Sequence, residues 1–226
     1  MYATWPCPLP DGTAGEEMVL GFDRARQQRV LVIPPLFDEA NKFRHQIVEI
    51  MRRVDAQDID CFLPDLPGCN ESIAPLPAQT IAGWRAATAA AATHFAATHV
   101  FAVRSGGWLV PDTLPGWVYA PVKARQVLRG MLRARSLAAR EAGVSESSED
   151  LLAEGREKGL TLAGWDLGAP LIRELDEGEF AASPAAIPIE QGEVGGKPLW
   201  LRAENDDDPA QADALAAILI AGLGVE

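Results

Sequence analysis

The chain has 226 residues, 48% of them apolar and 23% charged, the composition of one ordinary soluble domain with enough mass to bury a core. Disordered and collagen-like classes are excluded, and a formal net charge of -12 argues against a general nucleic-acid binder, which needs surplus Lys and Arg on its contact face. The three cysteines, Cys7, Cys61 and Cys69, lack the CxxC spacing of a zinc site or redox dithiol, so no metal or other cofactor is implied and reduced thiols in the cytoplasm are expected.

Glu17 to Phe22 and Arg29 to Ile33 are two apolar runs flanking a short polar segment, which predicts a hairpin closed off by Pro34 and Pro35. From Asp38 to Val54, Phe43, Ile47, Met51 and Val54 recur at helical spacing, with Asp38 and Glu39 suited to the positive end of the helix dipole. Asp60 to Leu63 is a short strand-like run, and Pro75 to Ala97 predicts an Ala-rich helix bearing Ile81 and Trp84. The Ala86 to Val103 stretch is broken by His94 and His99, so no membrane span is expected; residues 1–12 lack a basic-then-apolar leader.

Val100 to Val103 then predicts a strand that stops at Arg104, Ser105, Gly106 and Gly107. With Ser105 at a sharp strand-to-helix turn, the positions two before and two after it are Val103 and Gly107, a partial match to the GxSxG nucleophile elbow. Trp117 to Val122 is a further strand. Ala124 to Leu160 turns helical and charge-rich, with a helix-start signal at Ser145 to Asp150. Gly164 to Glu174 predicts a helix, Ala186 to Ile189 and Pro198 to Arg202 the last two strands, and Pro209 to Leu223 the closing helix. Alternating strands and helices imply a mainly parallel sheet covered on both faces, with a site at the carboxyl ends of the strands. Pro34 to Phe37, Asp65 to Ser72 and Ser105 all fall at that end.

Three segments in this order, Val30 to Phe37, Pro64 to Ser72 (PDLPGCNES) and Val103 to Gly107, resemble the α/β-hydrolase fold; the second is similar to its DLPGxGxS loop, with Asn70 in place of a glycine. Pro34 to His45, Pro121 to Arg135, Ala163 to Leu175 and Gly196 to Trp200 resemble the exosortase A system-associated hydrolases, bacterial proteins encoded near exopolysaccharide and protein-sorting genes. The resemblance implies a single α/β domain over residues 1–226, with a helical cap-like segment at about 123–180. It also implies an ester or thioester hydrolase acting on a small-molecule or acyl substrate, which the Ser105-Gly106-Gly107 turn favours; the alternative, favoured by the lack of a histidine after Ser105, is a pseudo-enzyme that keeps the fold as a binding or scaffold protein.

On that fold Ser105 is the nucleophile, and the Gly106 amide with that of Leu36 or Phe37 forms the oxyanion site, since Pro34 and Pro35 have no N–H. Glu190 is the candidate acid. After Ser105 the sequence contains no histidine. His99 lies six residues earlier along the strand, roughly 20 Å away, and His94 further back. His45 is left as candidate base, although it falls about 200° around the helix from Phe43 and Ile47. The segment where the fold places its histidine reads Glu204, Asn205, Asp206, Asp207, Asp208, a solvated helix-start run. Asp65 is expected to brace its loop. Arg125, Arg129 and Arg133, four apart, form a stripe able to face an anion, a partner or solvent.

Overall fold

The computed structural model describes residues 1–9, 12–180, 183–202 and 207–224. In chain order its elements are β1 (Tyr2–Pro8), β2 (Ala14–Phe22), β3 (Arg29–Ile33), α1 (Asp38–Asp55), β4 (Asp60–Pro64), α2 (Ile81–His94), β5 (His99–Val103) and β6 (Gly116–Tyr119). There follow α3 (Ala124–Glu141), α4 (Ser148–Lys158), the short hairpin β7 (Leu160–Leu162) and β8 (Trp165–Leu167), α5 (Ala169–Glu177), β9 (Ala186–Ile189), α6 (Gln191–Val194) and α7 (Pro209–Gly222).

Seven strands form one sheet in the order β1-β2-β4-β3-β5-β6-β9. β1, β2 and β4 pair antiparallel, and the other neighbours are parallel. The central strands read as continuous apolar runs because both faces are covered. Leu31, Ile33, Val100 and Ala102 join the apolar layer of α2, α3 and α5, around Trp84, Leu128 and Leu171. Val30, Val32, Phe101 and Val103, one residue out of phase, join that of α1 and α7, around Ile47, Met51 and Leu215.

The predicted hairpin between Glu17 to Phe22 and Arg29 to Ile33 does not form, because β4 lies between β2 and β3. Its first residue, Asp60, is fully buried, and its carboxylate accepts the backbone N–H groups of Arg24 (3.0 Å) and Arg26 (2.9 Å) and Nη1 of Arg29 (2.8 Å). Those bonds hold the 23–28 connection over the start of β4. β2 pairs instead with β1, whose Pro6 and Pro8 conceal a strand that an edge position tolerates. The helix predicted from Pro75 begins only at Ile81: Leu76–Ala78 is one 3-10 turn, and the Thr80 hydroxyl caps α2 by accepting Gly83 N–H at 3.0 Å. Gly164 to Glu174 divides into β8 and α5. The predicted strand over Pro198 to Arg202 is a 3-10 turn, Leu199–Leu201, with Leu199 buried and Leu201 exposed. No helix among the described residues is long and apolar enough to cross a membrane.

Glu17 is buried in β2. Burial raises its carboxyl above the ordinary range, opposed by the Ser72 hydroxyl that donates to it at 2.8 Å and reinforced by the Asp65 charge. The folded state therefore holds a proton that the unfolded chain releases, and stability is lost as pH rises through that window. Glu17→Gln keeps the acceptor for Ser72. It is expected to melt higher than the parent near neutral pH, with the gap closing below about pH 4, where the unfolded carboxyl is protonated too.

Candidate active site

β5 ends at Val103, and the residue that takes the left-handed backbone of the turn is Arg104, with φ 54°. A 3-10 helix, Arg104–Leu109, follows. The apex thus lies one residue before the predicted Ser105, which corrects the sequence reading. The small flanking positions become Ala102 and Gly106 instead of Val103 and Gly107. Close packing enforces the register: a Cβ on Gly106 would lie 2.6 Å from the carbonyl oxygens of both Ile33 and Pro34, so the turn presses against the end of β3. Read as small-x-apex-x-Gly, the stretch Ala102 to Gly106 carries this signal in the sequence.

Ser105 is 1% exposed, and its Oγ accepts the Leu36 N–H at 2.8 Å. The structure thus brings together two predicted site residues, but as partners of each other: the amide expected to hold a developing oxyanion is engaged by the serine. With the apex at Arg104, the amide that follows it belongs to Ser105 and not to Gly106. Ser105→Ala leaves the buried Leu36 N–H without an acceptor and is expected to cost about 1–2 kcal/mol in urea unfolding.

Arg104 turns its side chain to the α1 and α7 side of the sheet and is 9% exposed. Its Nε and Nη2 donate to the two carboxylate oxygens of Glu39, each at 2.9 Å, and Nη1 donates to the Ala120 carbonyl at 3.2 Å. The guanidinium lies 4.0 Å over the Trp200 ring, which stacks in turn near Phe43. Glu39 sits in the first turn of α1, where a carboxylate is favoured by the helix dipole. Tyr119 lies beside Trp200; burial pushes its phenol up to about 12, against the Arg104 charge, and its hydroxyl donates to Gln191. Glu39, Arg104 and Trp200 are far apart in the chain and carry no motif, so no local pattern in the sequence marks this cluster.

The remaining predicted residues are elsewhere occupied. Glu190 caps the short α6, its side chain accepting the N–H of Glu193 while Glu193 returns a bond to the Glu190 N–H at 2.7 Å. His45 has a 64% exposed side chain whose Nδ1 is 3.9 Å from Asp207, as its place off the buried stripe requires. His99 stacks on Trp117 and His94 packs on Phe95, both away from the turn. Asp65 braces its loop as expected, accepting from Asn70 at 2.8 Å and Arg44 at 3.1 Å. Asn70 has φ 49°, a backbone that asparagine tolerates best after glycine, which accounts for its place in the loop. Asp208 caps α7; Glu204, Asn205 and Asp206 lie outside the described residues. Between Pro34 to Phe37, Leu66, Asn70 and Trp165 only about 10 Å³ is open, room for one water at most. Among the described residues no group of three His, Cys, Asp or Glu is placed to hold a metal.

No family model matches the sequence, and no curated protein matches it. Solved structures do. Alpha/beta hydrolase domain-containing protein 10 from mouse superposes with a TM-score of 0.57 at 12% identity, covering 99% of this chain and 98% of its own. A hydrolase candidate from Agrobacterium vitis S4 gives 0.55 at 14% identity, covering 100% and 99%. The chain has the α/β-hydrolase fold.

In an α/β-hydrolase fold the apex of the elbow presents the nucleophile, and the amide after it cooperates with one from the turn after β3. Here the apex is an arginine tied to a glutamate. The amide of Leu36 is already bonded, and the chain beyond Ser105 contains no histidine. Among the described residues the turn keeps the backbone of an elbow, with Arg104 at its apex and Ser105 bonded to Leu36.

Proposed function

We propose that this chain is a binding or scaffold protein built on the α/β-hydrolase fold, with a structural ion pair where a hydrolase holds its nucleophile. The observation that carries this reading is Arg104 at the left-handed apex of the elbow. A guanidinium stays protonated at any physiological pH and offers no electron pair for attack. The resemblance to exosortase A system-associated hydrolases supports a setting beside exopolysaccharide production, with a binding role there. An esterase or thioesterase centred on Ser105 would need its Oγ to leave the Leu36 amide and emerge from a buried position. It would also need a base, and none of the three histidines hydrogen-bonds to it. Turnover of p-nitrophenyl acetate tests the reading. The parent and Ser105→Ala, both assayed well below their melting temperatures, are expected to give the same background rate. A rate that disappears in Ser105→Ala would overturn it.

A further inference from the structure

Helix α3 runs counter to the rest of this acidic chain. Lys123, Arg125, Arg129, Arg133 and Arg140 are all exposed, and only Arg125 has an ion pair, with Asp176 at 3.3 Å; the charged ends of the other four make none among the described residues. Arg125, Arg129 and Arg133 follow one another at roughly 6 Å along the axis. A depression of about 460 Å³ bounded by Lys123, Arg125, Arg129 and Gly130 meets, at Arg133, a second of about 540 Å³. The second is lined by Leu137 and Val144, two of the few large apolar side chains left exposed, together with Arg140 and with Glu146, whose carboxylate is paired with Arg135. Gly130 sits mid-helix where a Cβ would touch nothing within 4 Å, so no packing inside the chain requires glycine, which weakens a helix interior relative to alanine. Its missing side chain leaves the backbone between Arg129 and Arg133 open to close approach.

We infer that α3 docks an acidic segment of a partner protein, with carboxylates spaced about 6 Å apart to meet Arg125, Arg129 and Arg133 and an apolar side chain to cover Leu137 and Val144. Charge complementarity selects this occupant. Fields from exposed charges reach only about 8 Å at physiological ionic strength, so a short acidic segment feels the stripe alone. A wide anionic lipid surface or a long polyanion would also meet the remainder of a chain with net charge -12. The inference supplies a partner for the proposed binding role but stands on α3 alone.

The test uses the full chain and a fluorescein-labelled helical peptide with glutamate at every fourth position and a leucine one turn beyond, followed by anisotropy. Binding is expected to weaken with added NaCl and to fall about tenfold in the Arg129→Gln/Arg133→Gln double variant. Gly130→Gln is the second variant. It is expected to melt about 1–3 °C higher, through better helix propensity, and yet to bind the peptide more weakly. No binding at low salt, or equal affinity in the folded double variant, would overturn the inference. Capture on phosphatidylserine vesicles that the peptide does not compete away, or self-association that those variants abolish, would overturn it too, in favour of a membrane or a second copy. Any of these results leaves the Ser105 assay unaffected, so the two readings fail separately.

Discussion

Replacing Asp60 by alanine is expected to lower the unfolding free energy by about 3–5 kcal/mol, read as a fall in the urea midpoint at unchanged slope. The carboxylate is completely buried at the start of β4 and is the common acceptor for two backbone N–H groups and the Arg29 guanidinium. Alanine leaves the two backbone N–H groups unmatched, and Arg29, only 15% exposed at its side chain, keeps a charge that is then paired with Asp23 alone. Asp60→Asn is the gentler substitution. It keeps one carbonyl acceptor but turns an NH2 group toward donors, so it is expected to recover only part of the loss. An alanine variant as stable as the parent would show that the 23–28 connection is held by something other than this carboxylate.

Arg104→Ala is expected to cost about 2–3 kcal/mol, below the figure for a wholly buried pair because the Glu39 side chain is 22% exposed. Alanine strands the Glu39 carboxylate, removes the donor to the Ala120 carbonyl and opens a void beneath Trp200. Arg104→Met combined with Glu39→Met fills the same space without a charge and is expected to recover most of the loss, since two apolar side chains of similar length replace a desolvated pair at little net cost. The double-mutant cycle reads the coupling directly. A large loss that persists in the double variant would assign the stability to the arginine's stacking on Trp200 and not to the ion pair.

The features legible in the sequence are those set by local rules. The α1 stripe of Phe43, Ile47, Met51 and Val54, the double-sided apolar runs of β3 and β5, and the bracing by Asp65 all follow from periodicity or short-range hydrogen bonding. Sheet order was not legible at its antiparallel edge. β4 lies between β2 and β3, and Asp60 at its start accepts the N–H groups of Arg24 and Arg26 from more than thirty positions away, bonds that leave no periodic trace. The elbow was legible in place but not in register, because serine draws attention while the backbone angle belongs to its neighbour. What set the register was Gly106 against the carbonyls of β3, a contact between segments some seventy residues apart. The Arg104, Glu39 and Trp200 cluster was illegible for the same reason.

An elbow with no nucleophile leaves a fluorophosphonate probe unreacted, and intact-mass analysis after exposure to the probe, with peptide mapping of any adduct, measures this. The mass of the folded protein is expected not to change, in the parent as in Ser105→Ala. An adduct that maps to Ser105, forms on the folded parent and is absent from the alanine variant would contradict it.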